Sequence, residues 1–262
     1  MVGTQSLPSW NDGLVKSAIL DFVSRIAKQG TGDFVPPAER ICTFDMDGTL
    51  WCEQPLQVQV FFLFDRVKEL SAKDPELVKR LPFKAMLEHD YDTLFRLGKQ
   101  AVFELVFATH AGVTDEDFDR AARGWLATAK HPKLGRLFKE CVYRPQVELL
   151  AYLRENGFKT YIVSGSGIEF VRAFAEEVFG VPREQVIGSS GKMRYELKDD
   201  RVSLMKLPEL NSFDDREAKP LNISLYRPPA AACLRQFRWR SPHVALCQVR
   251  PWRAACAAAS SR

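Results

Sequence analysis

The last 45 residues of this 262-residue chain contain no aspartate and no glutamate; all 33 acidic side chains lie at or before Glu217. From Ala218 to Arg262 the charged groups are Lys219 and seven arginines, at 227, 235, 238, 240, 250, 253 and 262, so that stretch carries +8 and residues 1–217 carry −4. The overall charge of +4 therefore averages a mildly acidic body and a basic tail. Other absences narrow the class further. The opening, Met1 to Asn11, has no basic segment leading into an apolar core, which predicts no secretion signal. No apolar run approaches the length needed to span a bilayer. The six cysteines (42, 52, 141, 233, 247, 256) show no paired metal-type spacing, which predicts reduced thiols, no disulfide framework and a cytoplasmic protein. What remains is 46% hydrophobic and 27% charged, the composition of an ordinary globular protein with a real core.

The most informative string is Phe44-Asp45-Met46-Asp47-Gly48-Thr49-Leu50. It follows Ile41-Cys42-Thr43-Phe44, an apolar-leaning run that predicts a buried strand. Two carboxylates two residues apart then stand at the strand's carboxyl end, where ligands of open α/β sheets collect. Such a pair suits a hard cation such as Mg²⁺, which takes few carboxylates plus phosphate oxygens and water. One of the two can also attack phosphorus. Read as Asp-Gly-Thr alone, the same residues are an ordinary turn.

Around this string the pattern is helix, strand, long helical insert, helix, strand. Leu14, Ala18, Ile19, Phe22, Val23 and Ile26 fall at helical spacing within Asp12 to Lys28. After the acidic string, helices are predicted over Val58 to Leu70, Pro75 to Leu81, Tyr91 to Ala108, Thr114 to Ala129 and Pro132 to Glu140. A helix over Pro145 to Asn156 then stops at Gly157, and the strand Lys159 to Val163 follows. That order predicts an α/β core with a roughly 90-residue helical cap.

At the end of the second strand stands Ser164-Gly165-Ser166-Gly167, ahead of an amphipathic helix predicted over Ile168 to Phe179. Small residues let backbone N–H groups approach an anion, and a helix N-terminus adds favourable partial charge. A plain Gly-Ser loop with no ligand has the same composition.

Together the strings resemble the first two motifs of the haloacid dehalogenase-like (HAD) superfamily, over about residues 10–225, and most closely its phosphoserine-phosphatase-like branch. The resemblance implies a HAD-like Rossmannoid parallel-sheet core from residues 1–52 and 146–226. It also implies a helical cap over 53–145, inserted between the first and second motifs, and leaves 227–262 as an aberrant Arg/Ala-rich tail. It implies that Asp45 is the nucleophile and a metal ligand. Asp47 would protonate the leaving oxygen, then activate water, and help hold Mg²⁺ through its carbonyl. Ser164, Gly165 and a lysine would position the phosphoryl group. The order and spacing favour Lys219 for that lysine over its rivals Lys192 and Lys206. Relatives that cleave carbon–halogen bonds generally lack the second Asp, so Asp47 favours phosphate-ester hydrolysis of a small phosphorylated metabolite, with neither nucleic acid nor membrane as a partner. Trp51, Glu53 and Gln54 run from the motif towards the cap, as substrate contacts or as packing.

The family's fourth motif, an apolar strand followed by glycine and metal-binding acids, is missing. Ala230 to Arg240 stands there instead and holds no acid. Read one base later, codons permitted from Ala230 to Val244 can spell Leu-Leu-Leu-Ala-Phe-Gly-Asn-Ser-Asp-Gly-Asp-Leu-Pro-Met-Leu, a strand followed by such a motif. This points to a frameshift near Leu225 to Pro229 in the gene or its sequencing; the alternative is a natural Arg-rich tail. It leaves three readings: a phosphatase impaired by the loss, a catalytically inactive relative, or a binder of anionic polymers through the tail. The tail's arginines have no helical or strand periodicity, which counts against the last.

Overall fold

A computed structural model describes residues 6–226, together with the backbones of 233–238 and 245–250. The shifted-frame motif and the tail from residue 227 onward lie outside the described residues, apart from those two backbone segments.

Four strands form the main sheet in the order β1 (Ile41–Phe44), β2 (Lys159–Gly167), β3 (Val186–Lys198), β4 (Arg201–Ser212). β1 runs parallel to β2 with Ile41 opposite Lys159 and Phe44 opposite Ile162, β2 runs parallel to β3, and β4 returns antiparallel. Both faces of the parallel part are buried, as strands between helical layers must be. Cys42, Phe44, Ile162 and Val186 point into the main core with Ile19, Val23 and Ile26 of α1 (Leu14–Ala27). The alternate residues Ile41, Tyr161, Val163 and Ile187 form a smaller cluster on the other face. Ile223 of α9, the helix Ala218–Tyr226, packs against that smaller cluster.

Between β1 and β2 the chain forms α2 (Val58–Lys73), α3 (Leu81–Leu87), α4 (Tyr91–His110), α5 (Asp115–Thr128) and α6 (Arg144–Glu155). Thr114 caps α5 by accepting from the amide of Asp117 at 3.1 Å, and Asp115, Glu116 and Asp117 in the first turn complement the helix dipole. α6 opens on Arg144-Pro145 and closes at Gly157, whose φ of 76° turns the chain straight into β2. The insert has an apolar cluster of its own, with Leu63, Val67, Phe83, Met86, Leu94 and Leu105 buried together.

The structure departs from the pattern reading in four places. The helix expected over Pro75 to Leu81 is a 3₁₀ segment, Pro75–Lys79, with α3 starting only at Leu81. The helix expected over Pro132 to Glu140 is a closed turn with a 3₁₀ segment only at Phe138–Glu140. There His131 Nδ1 accepts from the amides of Lys133 and Leu134, and Gly135 adopts a φ of 66°. The single helix expected over Ile168 to Phe179 is two, α7 (Ile168–Arg172) and α8 (Ala175–Phe179). The break at Phe174 lets its ring stack on Trp51 at 4.5 Å. Finally, the long hairpin β3–β4 was unexpected. Its two-residue turn, Asp199-Asp200, has φ of 50° and 60°, the backbone shape of a type I′ turn, which aspartate tolerates. The hairpin's outer arm reaches the insert: Gly112 N–H donates to Lys206 O at 2.9 Å, and Lys206 N–H to Val113 O at 3.0 Å.

Candidate active site

The loop after β1 folds on itself. The amides of Thr49 and Leu50 donate to Met46 O at 3.1 and 2.8 Å, and Gly48 N–H donates to Trp51 O at 3.0 Å. Gly48 needs its φ of 73°, and a Cβ there would sit 3.1 Å from the Glu53 carboxylate. This turn carries Asp45 and Asp47 to the mouth of the sheet while Met46, Leu50 and Trp51 are fully buried beneath them.

Lys219 reaches this point from the far end of the body. Its Nζ donates to Asp45 Oδ1 at 2.8 Å and to the Val163 carbonyl of β2 at 3.0 Å. The rival lysines are engaged elsewhere: Lys192 pairs with Glu209 at 2.7 Å, and Lys206 with Glu169 at 3.2 Å. Asp47 is held from two sides, by Trp51 Nε1 on Oδ1 at 2.8 Å and Ser166 Oγ on Oδ2 at 3.0 Å. Burial pushes the Asp47 carboxyl above its ordinary range; the two hydrogen bonds pull the other way, and the nearby charges of Asp45 and Glu53 add to the rise.

The Ser-Gly-Ser-Gly loop at the end of β2 lies opposite. Ser164 is fully buried and its Oγ accepts the Ser166 amide at 3.1 Å, so Ser164 shapes the loop while Ser166 contacts Asp47. Gly165 O accepts from Ser189 Oγ at 2.7 Å. Gly188 permits the close approach behind it, since a Cβ there would meet Ser166 O at 2.8 Å. Gly167 N–H donates to Gln59 Oε1 at 2.7 Å, tying the loop to α2.

Trp51, Glu53 and Gln54 resolve separately. Trp51 is core and orients Asp47; Glu53 accepts from Tyr143 OH at 3.3 Å; and the Gln54 carbonyl lies 2.6 Å from His131 Nε2. Sequence reasoning passed over Ser166, Ser189, Asp214 and Asn222. Asp214 is fully buried, takes Asn222 Nδ2 on Oδ1 at 2.8 Å, and donates its amide to Ser189 Oγ at 3.0 Å. Burial pushes its carboxyl up as well. The repeated Ser at 166 and the Asp214-Asp215 pair were the only linear signals of this network.

A cavity of about 880 Å³ opens from Asp45, Asp47, Ser166 and Lys219 into the insert. The donors at its floor are oxygens, the set a hard cation such as Mg²⁺ takes. No cluster of three or more metal-ligating side chains forms among the described residues; of these, the Asp45–Asp47 loop supplies carboxylates at the cavity floor.

A family model described as haloacid dehalogenase-like hydrolase matches residues 42–242, which takes in the stretch where the fourth motif is expected. No curated protein matches. Among solved structures, a conserved functionally unknown protein from Anaerococcus prevotii aligns with a TM-score of 0.50 at 17% identity, covering 81% of this chain and 76% of its own. A protein of unknown function from Bordetella pertussis aligns at 0.47 and 17% identity, covering 71% of this chain and 74% of its own. A phosphoserine phosphohydrolase-like protein from Francisella tularensis gives 0.32 and 17%, covering 72% and 69%. The first of these likenesses concerns the fold alone.

Proposed function

Because the chain belongs to the haloacid dehalogenase-like hydrolase family, we propose that it is a Mg²⁺-dependent phosphatase hydrolysing a phosphate monoester through an aspartyl-phosphate on Asp45. In this reading residues 53–145 form the cap, and 1–52 with 146–226 the core. A carboxylate oxygen of Asp45 attacks phosphorus, and the bond to the ester oxygen breaks. Asp47, whose burial keeps it protonated further up the pH scale, gives its proton to the departing alkoxide. The Asp47 carboxylate then takes a proton from water, which attacks the phosphorus of the acyl phosphate, releases inorganic phosphate and restores Asp45. Lys219 offsets the charge shared by nucleophile and phosphate, and Ser164 and Gly165 shape the loop that faces it. The Asp45 carboxylate and the Asp47 carbonyl would hold Mg²⁺, which supplies positive charge against the phosphoryl oxygens.

The observation that carries this reading is the contact of Lys219 with Asp45, 2.8 Å apart in space and 174 residues apart in sequence. A second reading, a catalytically silent family member, rests on Arg238 and Arg240 standing where the resemblance expects metal-binding acids. One experiment separates them. The chain as written and a version with the tail's reading frame restored are assayed on p-nitrophenyl phosphate with Mg²⁺ and with chelator. The restored chain hydrolyses the ester only with Mg²⁺ and melts higher, while the written chain is slow or silent. Equal rates and equal melting would make the tail a native feature, and silence from both would overturn the phosphatase.

A further inference from the structure

The cavity that begins at the two carboxylates continues far beyond what a phosphate needs. At about 880 Å³ it lies in the range that holds drug-sized ligands. Its walls are mostly apolar, with five phenylalanines (95, 103, 107, 118 and 213) among its lining. The two lysines on the wall are already matched by acids. Lys99 lies 3.2 Å from Asp215 and 4.5 Å over the Phe213 ring, and Lys206 lies 3.2 Å from Glu169. A charged leaving group, such as that of a phosphorylated amino acid, therefore finds no free counter-charge on these walls.

Two buried polar atoms on the wall have no hydrogen-bond partner, Lys206 Nζ and His110 Nε2; the first keeps its ion pair with Glu169 and the second has no counterpart at all. His110 is 7% exposed. Its tautomer follows from its neighbour. Thr109 has a single hydroxyl proton, directed back at the carbonyls of Leu105 and Val106, 2.8 and 3.1 Å away. Thr109 Oγ1 must then accept from His110 Nδ1 at 2.7 Å. The proton sits on Nδ1, and the buried Nε2 keeps a lone pair without a partner. Burial, together with the charges of Lys206 and Arg66, pushes the imidazole down to about 3, so it stays neutral. A buried acceptor left unmade is costly, and a ligand that donates to it recovers that cost.

We propose that the substrate's alcohol half is a large, uncharged, mainly apolar group carrying a hydrogen-bond donor, and that His110 is the residue that reads this donor. The proposal rests on the phosphatase reading above and specifies its substrate class.

The test is calorimetric titration of the frame-restored chain, with Mg²⁺ present, with inorganic phosphate, n-alkylphosphonates from ethyl to octyl, their ω-hydroxyl counterparts and an amino-acid phosphonate. The expected result is a Kd that falls about fourfold per methylene. The amino-acid phosphonate should bind no tighter than the ethyl compound. At the chain length that suits the cavity, the ω-hydroxyl compound should bind about fivefold tighter than its His110→Phe control predicts. His110→Phe should erase that preference and leave the methylene slope intact, and His110→Gln, which keeps an acceptor, should restore part of it. A flat alkyl series with phosphate still bound would overturn this inference alone. A hydroxyl preference untouched in a folded His110→Phe protein removes His110 from the proposal. No binding of phosphate or of any phosphonate would overturn the inference and the phosphatase reading together.

Discussion

At the floor of the cavity the side chains hold one another. Lys219 bonds Asp45 and Val163, Trp51 and Ser166 bond Asp47, and Ser189 joins Gly165 to Asp214. On the walls, phenylalanines pack by shape and a histidine nitrogen is left without a partner. The floor is fixed by directional bonds between residues distant in sequence, so it tolerates little change and suits one chemistry. The walls are fixed by volume, which hydrophobic substitutions of similar size conserve, so they are where one family member differs from another in what it accepts.

The largest effect expected is at the floor. Asp45→Asn in the frame-restored chain should lower turnover of p-nitrophenyl phosphate by about 10³-fold or more, because a weak amide replaces the proposed nucleophile. Residual rates near wild type would end the aspartyl-phosphate mechanism. On the wall side, Phe83→Ala empties a fully buried position in the insert's own cluster. It should cost about 3–5 kcal/mol of stability by chemical denaturation. Any folded fraction should keep its rate on a short ester and lose preference for long ones. Equal losses on both substrates would show that floor and wall are one unit.

How much of this contrast the sequence carried follows from the same physics. Asp45, Asp47, Ser164 and Gly165 lie in short strings whose residue types suggest the chemistry, while Lys219 is placed only by what the family resemblance implies; the structure brings four of the five to one place, with Ser164 one layer behind. Ser166, Ser189 and Asp214 act through hydrogen bonds between positions 24 residues apart or more, which no local pattern records. The hairpin escaped notice because Tyr195, Leu197, Val202 and Leu204 are exposed and interleaved with charges, so its alternation marks no core. The turn from His131 to Leu137 looked helical because nothing in its composition shows His131 capturing two amides.

A smaller effect concerns pH. Folding raises the Asp47 carboxyl above its ordinary 3.8, so the native state binds more protons than the unfolded chain between 3.8 and the raised value. Stability from this group is fully present below 3.8 and is lost as pH rises through the folded pKa. Melting curves taken across the acid range should show that slope in the parent and its absence in Asp47→Asn. Parallel curves would mean that Asp47 titrates normally. Smallest is Trp51→Phe, which keeps the stack on Phe174 and deletes the indole N–H on Asp47. It should cost about 1 kcal/mol. Because that bond favours the charged carboxylate, its loss should also move the alkaline limb of kcat/KM to higher pH. An unmoved limb would detach Trp51 from the titration of Asp47.

Lys219 sits at the second position of α9, a nine-residue helix that meets the body through Ile223 and the buried Asn222 while Leu221 and Leu225 stand exposed. Short elements with few buried contacts open locally at far lower free energy than a core strand. Each such opening carries the ammonium away from Asp45 while β1 and β2 stay intact. In the frame-restored chain, gentle warming should therefore silence the site before the protein melts, and heat inactivation would measure one helix letting go.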